Sequence, residues 1–106
     1  MTITDTLYVS RREDWRAWLE ANHETADEIW LVTYRKATGT PSLPYPDAVE
    51  EALCVGWIDS IRKSLGDDRL AQRFTPRRPG AAYSQTNRER LARLLAQDRV
   101  LPHVRE

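Results

Sequence analysis

Asp59 stands between arginine-bearing segments, and one carboxylate among several guanidinium groups is the arrangement in this sequence best suited to chemistry. Arg62 follows it closely, and Arg73, Arg77 and Arg78 lie on the next segment. A guanidinium fork grips phosphate or carboxylate oxygens in pairs, which a lysine ammonium does not do. Pro76 and Pro79 bracket Arg77 and Arg78, and a stiffened chain loses less entropy on binding. Arg62, Arg73, Arg77 and Arg78 are therefore expected to form one positive surface near Asp59. Trp57 and Tyr83 are placed to stack on a ring beside it, and Arg88 joins the binding set. The competing reading is structural: Asp59 pairs with an arginine and only pins the end of a hairpin, while Trp57 fills the core.

Other chemistries find little support. Cys54 sits among Leu53 and Val55 with acids upstream, which disfavours a thiolate and suits an inert buried thiol. A single cysteine forms no internal disulfide, and His23 and His103 are too far apart for metal-ligand spacing. Ser10, Ser60 and Ser84 lack a nucleophile-elbow pattern. Glycines occur singly at 39, 56, 66 and 80, so no phosphate-cradling loop is present and no cofactor is expected.

These residues need elements to position them. Ser10 and Glu13 have the spacing of a capping box, opening a helix over 11–22 whose Trp15, Trp18 and Leu19 form an apolar stripe. Residues 28–36 alternate β-branched, aromatic and aliphatic types and read as a strand buried on both faces at its centre. Prolines 41, 44 and 46 with Gly39 impose a loop over 37–46, and Pro46 suits the first position of a helix over 47–55. Ala48, Ala52 and Val55 form its inner face, its acids favour its N-terminal dipole, and Gly56 is free to take the left-handed position after it. Residues 57–65 and 70–75 flank Gly66-Asp67-Asp68 and read as an antiparallel hairpin in which Asp59 and Arg62 point to opposite faces. Ser84 caps a last helix running to about residue 97, with Leu91, Leu94 and Leu95 inward; the tail from Asp98 fits no single element. The expected fold is thus α+β, a small antiparallel sheet with helices packed on one face in the order α-β-α-β-β-α.

The 106 residues suffice for one domain, and 41% hydrophobic with 30% charged residues describes a chain that folds alone. Net charge is zero, yet residues 1–56 carry five basic and ten acidic side chains, and residues 60–94 carry nine and three. This asymmetry points to an anionic partner. The N-terminus has no basic start followed by an apolar run and no stretch reaches membrane length, so a cytoplasmic location without membrane contact is expected.

The segments VSRREDWRAWLEANH, EIWLVTYRKATG, AVEEALCVGWIDS, QRFTPRRP and YSQTNRERL together resemble the YdeI/OmpD-associated family, also termed bacteriocin-protection proteins. GWIDS at 56–60 and FTPRRP at 74–79 are its most specific parts. The resemblance implies a distant likeness to the YjbR and frataxin-like α+β proteins, and a role in protection against cationic peptides. It also implies that residues 1–106 form a YdeI-like domain lacking that family's usual C-terminal helical segment. Apolar surface left uncovered by that segment would favour a homodimer. The expected function is non-enzymatic binding of an anionic ligand, or of an acidic or nucleic-acid partner, through the arginine cluster. The alternative is a small-molecule enzyme or metabolite binder that uses Asp59 and its arginines.

Overall fold

A computed structural model describes residues 2–105. Helix α1 (Arg12–Asn22) buries Trp15 and Leu19, four residues apart and so on one face. The Trp15 indole donates to the Ala48 carbonyl at 2.9 Å and so joins α1 to α2 (Tyr45–Cys54). Trp15 also stacks on Trp18 and meets Phe74 edge-on, and Trp18 meets Trp57 edge-on, so four aromatic rings run through the core. Burial of each such ring is worth about 1.5–3 kcal/mol. The sheet supplies Ile29 and Leu31 of β2 (Ile29–Tyr34), Trp57 of β3 (Trp57–Gly66) and Phe74 of β4 (Arg69–Pro76), all packed with residues of α1, α2 and α3 (Gln85–Ala96). The helices therefore cover one face of the sheet, as the amphipathic stripes require.

The α+β class and the order of the main elements agree with expectation, and β2 is buried on both faces from Ile29 to Val32. One strand is additional. Thr6–Tyr8 forms β1, which pairs in parallel with β2, giving the sheet order β1-β2-β4-β3. The sheet is thus mixed rather than wholly antiparallel; three residues are too few to show strand alternation in sequence. The Ser10–Glu13 capping box does not form. Arg11 occupies the cap position without a side-chain hydrogen bond, because the helix starts one residue later than that box requires. Ser84 does cap α3, accepting from the Asn87 amide at 3.1 Å. The tail carries a short helix, α4 (Pro102–Arg105), anchored by the Leu101 amide on the Cys54 carbonyl at 2.9 Å.

Helix α2 departs most from a simple amphipathic pattern. Residues Ala48 to Cys54 are all buried, Glu50 and Glu51 included. A buried carboxylate requires partners. Glu51 receives Arg12 at 2.5 Å, Arg16 at 3.0 Å and Arg99 at 2.5 Å, while Glu50 receives Arg12 at 2.7 Å and Arg93. This network draws α1, α2, α3 and the tail together. The acids of α2 thus act as internal ties as well as favouring the helix dipole.

Candidate functional site

The β3–β4 hairpin sets the site. Asp67 and Asp68 form its two-residue loop with φ of 52° and 59°, the left-handed pair of a type I′ turn, whose twist matches that of the flanking strands. A bulge lies between Asp59 and Arg62: Asp59 pairs with Phe74, and Arg62 with Gln72. The Gln72 side-chain amide fills the irregularity by donating to the carbonyls of Ser60 at 3.1 Å and Ile61 at 3.2 Å. Phe74 and Gln72 share a face, so the bulge brings Arg62 to the same side as Asp59. Regular alternation would have separated them.

The same register removes Arg73 from the expected cluster. It pairs with Trp30 on the opposite face and donates to Glu28 at 2.5 Å. Trp57 is buried in the core with its indole 3.4 Å from the His23 carbonyl, so only its margin reaches a surface hollow. Arg88 is exposed on α3, donates to Gln85 at 2.6 Å and lines neither hollow beside Arg77.

Asp59, Arg77, Arg78 and Tyr83 do come together. They line a groove of about 420 Å³ with Thr75 and the start of α3, Ser84 and Asn87. Arg77 is firmly held. Its amide donates to the Gly56 carbonyl at 2.9 Å, an Nη donates to the Ala81 carbonyl, and its guanidinium lies 4.0 Å from the centre of the Tyr83 ring. Arg78 is exposed.

Two side chains that the sequence did not link to Asp59 complete the surroundings. The Tyr45 hydroxyl donates to Asp59 at 2.6 Å. Burial and that hydrogen bond push the Tyr45 phenol up to about 12, against the opposing charges of Arg90 and Arg62 nearby. Arg90 in turn donates to Asn87 at 2.9 Å. Tyr45 precedes Pro46 at the start of α2 and carried no sequence signal linking it to Asp59; Arg90 follows Ser84 by six positions, and only the cap reading hinted at its place.

Pairing separates the two charge populations. The arginines before β3 meet carboxylates: Arg11 with Glu13, Arg12 and Arg16 with the α2 acids, Arg35 with Asp68. Among the described residues Arg62, Arg69, Arg77, Arg78, Arg88 and Arg90 have no carboxylate within ion-pair distance, whereas Arg73 and Arg93 do. The first turn of α3 contains no acidic residue. Ser84 satisfies the Asn87 amide there, and no carboxylate of that turn offsets the positive end of the helix dipole. No three or more His, Cys, Asp or Glu side chains are gathered to hold a metal ion, and no helix is long and apolar enough to cross a membrane, among the described residues.

Residues 7–106 match the family described as Domain of unknown function (DUF8412). No curated protein and no solved structure matches the chain.

Proposed function

We propose that this chain, which belongs to the DUF8412 family, is a non-enzymatic binding domain that takes a small oxyanion-bearing molecule, a phosphate or carboxylate, in the groove between Arg77 and the start of α3. The observation that carries this reading is Arg77 itself, fixed by Gly56, Ala81 and Tyr83 but without a carboxylate partner among the described residues, beside a helix start that lacks acids. Preset donors of this kind bind anions without first paying to order a side chain. The groove volume of about 420 Å³ suits a small molecule, which favours this over a flat nucleic-acid surface. Asp59, the carboxylate of the groove, accepts from Tyr45, so one of its oxygens is already engaged.

The same arginines repel a cationic peptide. Protection of the kind implied by the resemblance to bacteriocin-protection proteins would therefore run through the anionic ligand, not through capture of the peptide. The proposed compartment is the cytoplasm.

Calorimetric titration with inorganic phosphate tests the reading. Replacing Arg77 and Arg78 together by alanine is expected to weaken binding by about tenfold or more, the loss of at least one charge-assisted hydrogen bond. Only modest weakening by added salt is expected for a small anion, whereas a nucleic-acid ligand would show a steep dependence. Unchanged phosphate binding by a folded double variant overturns the proposal.

A further inference from the structure

A second hollow, of about 610 Å³, lies against the groove and shares Pro76, Arg77 and Tyr83 with it. Its other walls differ in chemistry. His23 and His103 stack there with ring centres 5.2 Å apart and planes within 10° of parallel, beside Trp57 and Val104. Nδ1 of His23 lies 3.0 Å from the Leu19 carbonyl, and Nε2 of His103 lies 3.2 Å from the Val55 carbonyl. A carbonyl only accepts, so these nitrogens carry the protons. In the neutral rings Nε2 of His23 and Nδ1 of His103 keep their lone pairs. The Glu24 carboxylate, 3.8 Å from His23 Nε2, is a third acceptor at the rim.

Gly56 makes this wall possible. With φ at +84°, it takes a conformation that side chains disfavour, and a Cβ there would stand 3.3 Å from Val104 and 3.4 Å from His103 Nε2. The two hollows are thus complementary halves around one partition. The groove presents N–H donors and positive charge, and the second hollow presents flat aromatic surface and acceptors.

Building on the oxyanion reading of the groove, we propose that the ligand has two parts: an oxyanion held at Arg77 and the start of α3, and a planar heteroaromatic ring bearing N–H donors that enters the histidine-lined hollow. A nucleoside monophosphate is the class of metabolite that joins these parts. The ring meets the imidazoles and Tyr83 face or edge, and its N–H groups meet the free imidazole nitrogens and Glu24.

The test compares inorganic phosphate, ribose 5-phosphate, and adenosine and guanosine monophosphates by calorimetry on the full chain. At least one nucleotide is expected to bind about ten- to hundredfold more tightly than ribose 5-phosphate, the gain that stacking of one base gives. His103→Ala, at an exposed position of α4, is expected to erase that gain while leaving ribose 5-phosphate affinity unchanged, which also shows that the variant is folded. Arg77→Ala is expected to weaken every phosphate compound. Nucleotides no tighter than ribose 5-phosphate, or a His103→Ala variant that weakens all compounds alike, overturn the two-part ligand but leave the oxyanion groove standing. Failure of all four compounds to bind overturns both.

Discussion

Glu51 is fully buried and holds three arginines, so its removal leaves guanidinium groups without the carboxylate that offsets their burial. Breaking a buried ion pair costs about 3–5 kcal/mol, and Glu51→Ala is expected to lower stability by that amount in denaturant unfolding. A loss below about 1 kcal/mol would reduce the network to the worth of surface pairs. Glu50 adds a pH dependence. Burial pushes its carboxyl up, but the hydrogen bonds and charges of Arg93 and Arg12 outweigh burial and hold it below the usual carboxylate range. A carboxyl lowered in the folded state stabilises the fold above its unfolded-state value of about 4.3, and that stability is lost as pH falls through the lower, folded value. Glu50→Gln is therefore expected to flatten the acid limb of a stability profile while leaving its shape above pH 6 unchanged. Cys54 is a free, buried thiol raised by burial, with Arg16 only partly opposing. Its reaction with a thiol reagent is expected to follow unfolding; rapid labelling of native protein would contradict the packing of α2. The burial of Cys54 was legible from its neighbours. The partnership of Arg73 with Glu28 was not, because 45 residues separate them and only the strand register brings them together.

At the scale of elements, the turn at Gly66-Asp67-Asp68, the start of α3 at Ser84 and the end of α2 at Gly56 were all visible in sequence, since each rests on local backbone chemistry. What stayed hidden was the bulge between Asp59 and Arg62, which depends on Gln72 reaching across to two carbonyls. It sets the side on which Arg62 lies, beside Tyr45, Gln72 and Phe74 and outside the groove that Arg77 lines. Gln72→Leu is expected to leave those carbonyls unsatisfied and destabilise by about 1–3 kcal/mol, and Arg73→Ala, on the far face, is expected to leave phosphate binding intact. Loss of phosphate binding in Arg73→Ala would place the anion on the far face of the sheet instead. The turn offers a gain: Asp68 holds a left-handed conformation at φ 59°, and Asp68→Gly is expected to stabilise by about 0.5–1 kcal/mol, read as a rise in Tm. A fall in Tm would assign more weight to the exposed Arg35–Asp68 pair than such pairs normally carry.

Across the whole molecule, folding of a formally neutral chain pairs the arginines before β3 with carboxylates and leaves six later arginines, among the described residues, without a carboxylate within ion-pair distance. The charge reversal between the two stretches foretold that polarity, but not which arginines would remain free. The exposed large apolar side chains, Tyr8, Tyr45 and Ile61, stand on β1, α2 and β3, and the hydroxyls of Tyr8 and Tyr45 are engaged by Pro41 and Asp59. Light scattering at high concentration decides between one chain and two. The measurement that bears most directly on the binding reading is a backbone and arginine side-chain NMR titration of the wild-type chain with inorganic phosphate. Shifts are expected to concentrate on the amides of Gln85, Thr86 and Asn87 and on the guanidinium groups of Arg77 and Arg78. Shifts gathered instead around Arg12, Arg16 and Arg99, or none at saturating phosphate, would contradict an anion site between Arg77 and the start of α3.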